Sequence, residues 1–213
     1  YINDNQYGIS YLKTKGLGFP GSIISLDYYV WVPAGSFSAT VDNARIMEEM
    51  GRDDGRPSWF WLLGAGYTFW AGRDYTPAEQ ELSTYACLIN GVTGFWWLAS
   101  HPKSKSGWET IKRMWAELAK LTPVIASTRT VRGITAAAPA VQMMVKEFDG
   151  ALFLITLNTS PYSVSSTFDV SAFLKNGTSK VVFEDRTISV MNGIFEDKFN
   201  GYQRHVYRIV SKH

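Results

Sequence analysis

The sequence predicts an α/β region followed by an all-β region, and three observations carry that reading. Up to about residue 125, short continuous apolar runs alternate with segments whose apolar residues recur at helical spacing. From about residue 140 the apolar period changes to two, the signature of antiparallel strands. Between them, residues 127–139 are mostly small, which places the expected boundary between a first domain, 1–130, and a second, 131–213.

Residues 22–30 form the first strand-like run, apolar on both faces as a strand buried in a parallel sheet must be, and Pro33 and Gly35 follow it. In 38–50, Val41, Ala44, Ile46 and Met47 fall at helical spacing, with Gly51 at the expected C-terminal boundary. A second run, Ser58-Trp59-Phe60-Trp61-Leu62-Leu63-Gly64, leads into a Gly- and aromatic-rich loop over 65–74. Thr76, Pro77 and Glu79 then read as N-cap, first helical position and capping-box acid of a helix running to about Asn90. Residues 91–99 give a third buried strand, and 108–121 a helix with Ile111, Met114, Trp115, Leu118 and Leu121 on one face, stopped by Pro123. Three strands alternating with three helices imply parallel pairing through right-handed crossovers. In a three-stranded sheet the runs at Ile23 and Phe95 are edges without the Lys, Pro or bulges that protect natural edges.

The second region opens with a hairpin, 141–148 and 151–157, around an Asp149-Gly150 turn. Further strands fit 163–170, 180–184, 187–190 and 204–210, punctuated by Asn176-Gly177, Asn192-Gly193 and Asn200-Gly201. An antiparallel sandwich over about 140–210, its two apolar faces closing on each other and folding alone, is the expected architecture.

Composition narrows the functional classes. A formal charge of +2, spread without a basic run, leaves no electrostatic footprint for nucleic acid or a membrane surface. No stretch approaches the roughly 20 apolar residues of a membrane span. The one cysteine, Cys87, sits in an apolar helical context and reads as a buried thiol, and three scattered histidines match no metal-ligand spacing, so no metal and no cofactor is expected. No Gly-rich phosphate loop follows any strand. Aromatics make up 15%, with eight Trp, which slightly favours a neutral carbohydrate partner. The amino end, Tyr1-Ile2-Asn3-Asp4, has neither an initiator Met nor a leader pattern, so the chain reads as processed or excised, and soluble.

Taken in order, Ile24-Ser25-Leu26-Asp27-Tyr28-Tyr29, Arg56-Pro57-Ser58-Trp59-Phe60-Trp61, the segment from Tyr75-Thr76-Pro77-Ala78-Glu79 through Leu88-Ile89-Asn90-Gly91-Val92-Thr93-Gly94-Phe95-Trp96-Trp97, Leu152-Phe153-Leu154-Ile155-Thr156-Leu157-Asn158, and Val206-Tyr207-Arg208-Ile209 resemble the carboxy-terminal part of a glycoside hydrolase of the large retaining (β/α)8 clan. The resemblance implies the last three βα units of a TIM-like barrel, strands six to eight, followed by the clan's accessory β-sandwich. A full barrel takes roughly 250 residues. Only about 130 precede the sandwich, so a missing N-terminal barrel segment or a second chain is the implied partner besides the carbohydrate itself. It also implies a secreted or periplasmic location.

Such barrels carry their sites at the C-terminal ends of strands, and retaining hydrolysis needs two carboxyl groups about 5 Å apart. The resemblance puts the acid/base after a fourth strand outside this chain and a nucleophilic Glu at the end of the seventh, where Leu62-Leu63-Gly64-Ala65-Gly66 has no acid. The catalytic residues are therefore unassigned. Asp27, the one carboxylate at a strand end, is read either as a sugar-hydroxyl ligand or as an acceptor for loop amides. Trp97, by analogy with the clan's eighth-strand aromatic, is a stacking candidate, although alternation turns only one of Trp96 and Trp97 inward. With Tyr29, the loop residues Trp31 and Trp70 and the post-strand His101, these form the candidate substrate-binding set; Tyr67 is a further loop aromatic. Glu79 and Glu81 are explained by capping and the helix dipole. Two functions compete: a glycoside hydrolase-like protein completed by its missing barrel half, and a non-catalytic carbohydrate-binding protein on the same scaffold.

Overall fold

Why the first region folds as alternating layers follows from its strand periodicity. Ile24 and Leu26 of β2 (Ile24–Asp27) and Phe60 and Leu62 of β3 (Ser58–Leu63) are buried in one cluster with Ala44, Met47 and Met50 of α1 (Ser38–Asp54) and Cys87 of α2 (Pro77–Ile89). Burial of each Ile, Leu, Phe or Met among them contributes about 1.5–3 kcal/mol. The computed structural model describes residues 3–4, 23–30, 36–64, 73–98 and 104–210. They form two compact units, Tyr1–Ile111 and Lys112–His213, divided inside α3 (Lys105–Ile125).

In the first unit β2, β3 and β4 (Gly94–Leu98) pair in parallel as expected. The sheet gains a fourth strand, β1 (Asn3–Asp4), parallel to β2, so the order is β1-β2-β3-β4 and the run at 23–27 is interior, not an edge. Two paired residues are too short a signal for periodicity to detect.

The helix ends depart from expectation in two places. α1 runs past Gly51 to Asp54 and closes on Gly55, whose φ of 65° supplies the left-handed cap. Gly51 instead admits the returning chain: its carbonyl accepts from Arg56 N, and a Cβ there would lie 2.8 Å from Arg56 O. α3 continues through Pro123 to Ile125, because a proline in the final turn sacrifices only one amide bond before the helix ends. α2 has the expected capping box: Thr76 Oγ1 accepts from Glu79 N, and Glu79 Oε2 accepts from Thr76 N.

The second unit is an antiparallel sandwich. One sheet has the order β10-β9-β12-β7-β6, from β6 (Val141–Phe148), β7 (Ala151–Asn158), β9 (Gly177–Val182), β10 (Arg186–Val190) and β12 (Arg204–Val210). The other has the order β11-β8-β5, from β5 (Thr135–Ala136), β8 (Val164–Asp169) and β11 (Ile194–Phe199). The β6–β7 hairpin turns at Asp149 and Gly150, both at positive φ, the backbone of a two-residue type I′ turn. Leu152, Leu154, Tyr207 and Ile209 meet Phe168, Phe195 and Phe199 between the sheets, where the Phe168 and Phe195 rings stack at 4.8 Å. β5 and β11 were not anticipated. The polar run Glu196-Asp197-Lys198 hides the alternation of Phe195 and Phe199.

β7 is buried at every residue, and this alters the expected architecture. Leu152 and Leu154 face the second sheet, whereas Phe153 turns the other way and lines a cavity of about 230 Å³ with Leu121 and Val124 of α3. On the same side, buried Arg204 donates to Glu117 of α3 at 2.6 Å. The larger sheet is thus covered on both faces, once by a sheet and once by a helix.

Candidate functional site at the strand ends

Residues that alternate away from the helices on the parallel sheet share its second face, and register brings them into rows. Asp27 is opposite Trp61, Trp61 opposite Trp96, and Trp59 opposite Gly94. The Trp61 and Trp96 rings stack at 5.9 Å with 21° between planes, Trp59 lies 5.6 Å from Trp96, and Trp61 Nε1 donates to Ser25 Oγ at 3.1 Å. Trp96 keeps 49% of its surface exposed. Gly94 makes this row feasible, since a Cβ there would lie 2.7 Å from Trp59 Nε1. Gly94→Ala is expected to lower stability by about 1–3 kcal/mol, because the indole must leave its packed position; thermal unfolding of the variant checks this.

The structure resolves the choice that alternation left open. Trp97 packs under the helices with the hydrophobic cluster, edge-on to Phe95 at 5.4 Å, and Trp96 is the aromatic on the opposite face. Trp59-x-Trp61 with Gly94-x-Trp96 was the available signal, a period-two pattern with a glycine where a neighbouring ring needs room. Asp27 stands on this second face at the C-terminal end of β2, with half-buried Tyr29 two residues beyond. Trp31, Tyr67, Trp70 and His101 lie outside the described residues.

The backbone beyond β2 is held from the β3–α2 side. Buried Tyr75 uses its hydroxyl twice on Val30, accepting from the amide and donating to the carbonyl at 3.1 Å, while its ring meets Phe37 edge-on at 5.0 Å. Burial pushes the Tyr75 phenol well above its usual range, so it remains a neutral structural group. Glu79 is likewise occupied. Burial alone raises its carboxyl, but the paired bonds from Arg73 at 2.8 Å and those of Thr76 outweigh that and hold it below the usual carboxylate range. Neither is poised for proton transfer at neutral pH.

β3 ends in Leu62, Leu63 and Gly64 without an acid, whereas β2 ends in Asp27 and the two-residue β1 ends in Asp4. Burial also pushes the Cys87 thiol up, away from nucleophilic character. No group of three or more His, Cys, Asp or Glu with metal-holding geometry occurs among the described residues. What the arrangement offers chemically is an aromatic face, an acceptor and a phenol at one end of a parallel sheet.

No family model and no curated protein matches the sequence. Solved structures do. Over 96% of this chain and 57% of the other, the fold superposes on an α-amylase from Geobacillus thermoleovorans complexed with acarbose, with 8% identity and a TM-score of 0.59. Over 89% of this chain and 48% of the other, it superposes on an Anoxybacillus α-amylase with 10% identity and a TM-score of 0.53. The chain spans about half the length of these structures. At such identity the likeness speaks for the fold alone: this chain has part of a (β/α)8 barrel and a β domain, as those two structures do.

Proposed function

We propose that this chain is the barrel-end and β-domain portion of a glycoside hydrolase-like protein, that it binds a carbohydrate at the strand ends around Asp27, Tyr29 and Trp96, and that it does not hydrolyse glycosides unaided. The observation that carries this is the row of Trp59, Trp61 and half-exposed Trp96 beside Asp27, a surface suited to sugar rings, next to a β3 whose end, Leu62-Leu63-Gly64, supplies no acid for a hydrolytic pair. The loop aromatics Trp31 and Trp70, with His101, are assigned to the same end of the sheet, and a secreted or periplasmic location suits a polysaccharide ligand.

A partner supplying further strands, either an N-terminal barrel segment or another chain, accompanies this reading. β4 is a sheet edge among the described residues, and its Trp96 is half exposed. The second reading, a non-catalytic carbohydrate-binding protein, is favoured by the acid-free end of β3. Domain boundaries at 1–130 and 131–213 remain our proposal for where the fold type changes, α3 belonging to the chain before the sandwich while packing on it.

The intact chain is expected to release no aglycone from aryl glycosides, even on long incubation. Turnover that Asp27→Asn abolishes would show that a competent site exists here and overturn the proposal.

A further inference from the structure

We propose a second carbohydrate-binding site, for a neutral oligosaccharide, at the corner of the β domain carrying Tyr162 and Tyr202. It lies on a different unit from the strand-end site and does not depend on it.

Asn158, buried at the end of β7, organises the corner. Its Nδ2 donates to the carbonyls of Tyr162 at 2.7 Å and Asn200 at 2.9 Å, and its Oδ1 accepts from Ser160 N at 3.0 Å. Ser160 holds both tyrosine backbones: its Oγ accepts from Tyr162 N at 3.1 Å and its carbonyl from Tyr202 N at 2.9 Å. The two loops touch so closely that a Cβ on Gly201 would collide with the Pro161 carbonyl. With both Nδ2 hydrogens engaged, Asn158 is committed to structure, although Asn158-Thr159-Ser160 matches a glycosylation acceptor pattern.

On this fixed frame Tyr162 keeps 77% of its surface exposed, so its ring has no packing role. Tyr202 adopts φ 61°, a left-handed backbone that a bulky residue rarely occupies and that glycine would occupy without strain. An exposed ring on preordered backbone loses little entropy on binding, and retained strain at a non-glycine residue concentrates at functional positions. Residues 158–163 and 200–203 contain no Asp, Glu, Lys, Arg or His. Two phenols, amides and hydroxyls without charge match a neutral polyhydroxyl chain, which stacks its apolar faces and hydrogen-bonds its rim, and offer nothing to a phosphate or an acidic polymer.

Native gel electrophoresis through soluble starch, xylan or mixed-linkage β-glucan tests this with the intact chain. Retardation is expected in at least one of the three. In the Asp27→Asn background, which removes the strand-end contribution, adding Tyr162→Ala is expected to weaken the remaining retardation at least about tenfold in apparent Kd, and adding Tyr202→Gly, which removes the ring while relieving the backbone, to weaken it as well. Melting temperatures of both tyrosine variants at or above the parent value would confirm that folding is intact. No retardation in any of the three polysaccharides, or equal retardation of Asp27→Asn and of Asp27→Asn combined with Tyr162→Ala, overturns the proposal. Loss of binding in Asp27→Asn alone overturns it too and assigns the sugar to the strand ends.

Discussion

Residues 112–213 produced alone are expected to unfold in one cooperative transition, whereas residues 140–210 alone are expected to lack a cooperative melt. Most of the sandwich core between the sheets survives in both, the shorter fragment losing Ile134 and β5, but β7 has a second buried face. Phe153, Ile155 and Leu157, with Val206 of β12, are buried yet alternate away from that core. Residues of α3 line the cavity that Phe153 shares, so the helix is the element on that side. Four such side chains returned to water forfeit about 1.5–3 kcal/mol each, comparable with the whole stability of a small domain. Removing α3 also breaks the ion pair of Arg204 with Glu117, whose side chains are 6% and 7% exposed, and opens Arg204 to water beside Glu184 at 3.6 Å. Circular dichroism melts of the two fragments distinguish the outcomes, and an equally cooperative 140–210 fragment would show that the helix is dispensable.

The second large effect concerns acid and Asp197. Arg186 bonds Asp197 through both terminal nitrogens at 3.0 and 2.8 Å and Glu184 through Nε at 2.8 Å, while Tyr207 donates to Asp197 at 2.7 Å and His205 Nδ1 lies 2.6 Å from Glu184. Burial alone raises both carboxyls. In Asp197 the bonds from Arg186, Tyr207 and the Lys198 amide outweigh burial, and in Glu184 those of His205 and Arg186 do, so both are held below the usual range. A carboxyl lowered on folding contributes stability that is complete above its unfolded value and is lost as pH falls through the folded one. Unfolded Asp and Glu titrate near pH 4, so the melting temperature is expected to hold above about pH 5 and to drop steeply below about 4. Asp197→Asn should lower stability at pH 7 by about 2–3 kcal/mol, the lower part of the range for a broken buried pair because Arg186 is about one-third exposed, and should flatten that acid limb. A variant with a parent-like melting temperature at pH 7 and an unchanged acid limb would remove the network from the account.

Much of this was legible in the residues because local chemistry and tertiary structure agree. Thr76-Pro77-Ala78-Glu79 specifies its helix start whatever packs on it, and Asp149-Gly150 specifies its hairpin. The parallel strands were legible as apolar runs, yet their faces were not: between Trp96 and Trp97 only the position of the helices decides, and no local signal carries that. β11 was hidden because Asp197 faces inward into a network whose partners, Arg186 and Tyr207, lie on other strands. Gly51 illustrates the same limit, since a glycine that admits a crossing backbone looks in sequence like one that ends a helix.

The most direct test of the central claim, sugar binding at the strand ends without hydrolysis, is a titration of the intact chain carrying Tyr162→Ala with neutral oligosaccharides. Indole fluorescence and released reducing ends are followed together. The arrangement of Trp61 and Trp96 beside Asp27 predicts a saturable fluorescence change with at least one α- or β-linked oligosaccharide, diminished by Asp27→Asn, and no new reducing ends. Absence of any saturable change, or release of reducing sugar by this chain alone, would contradict it.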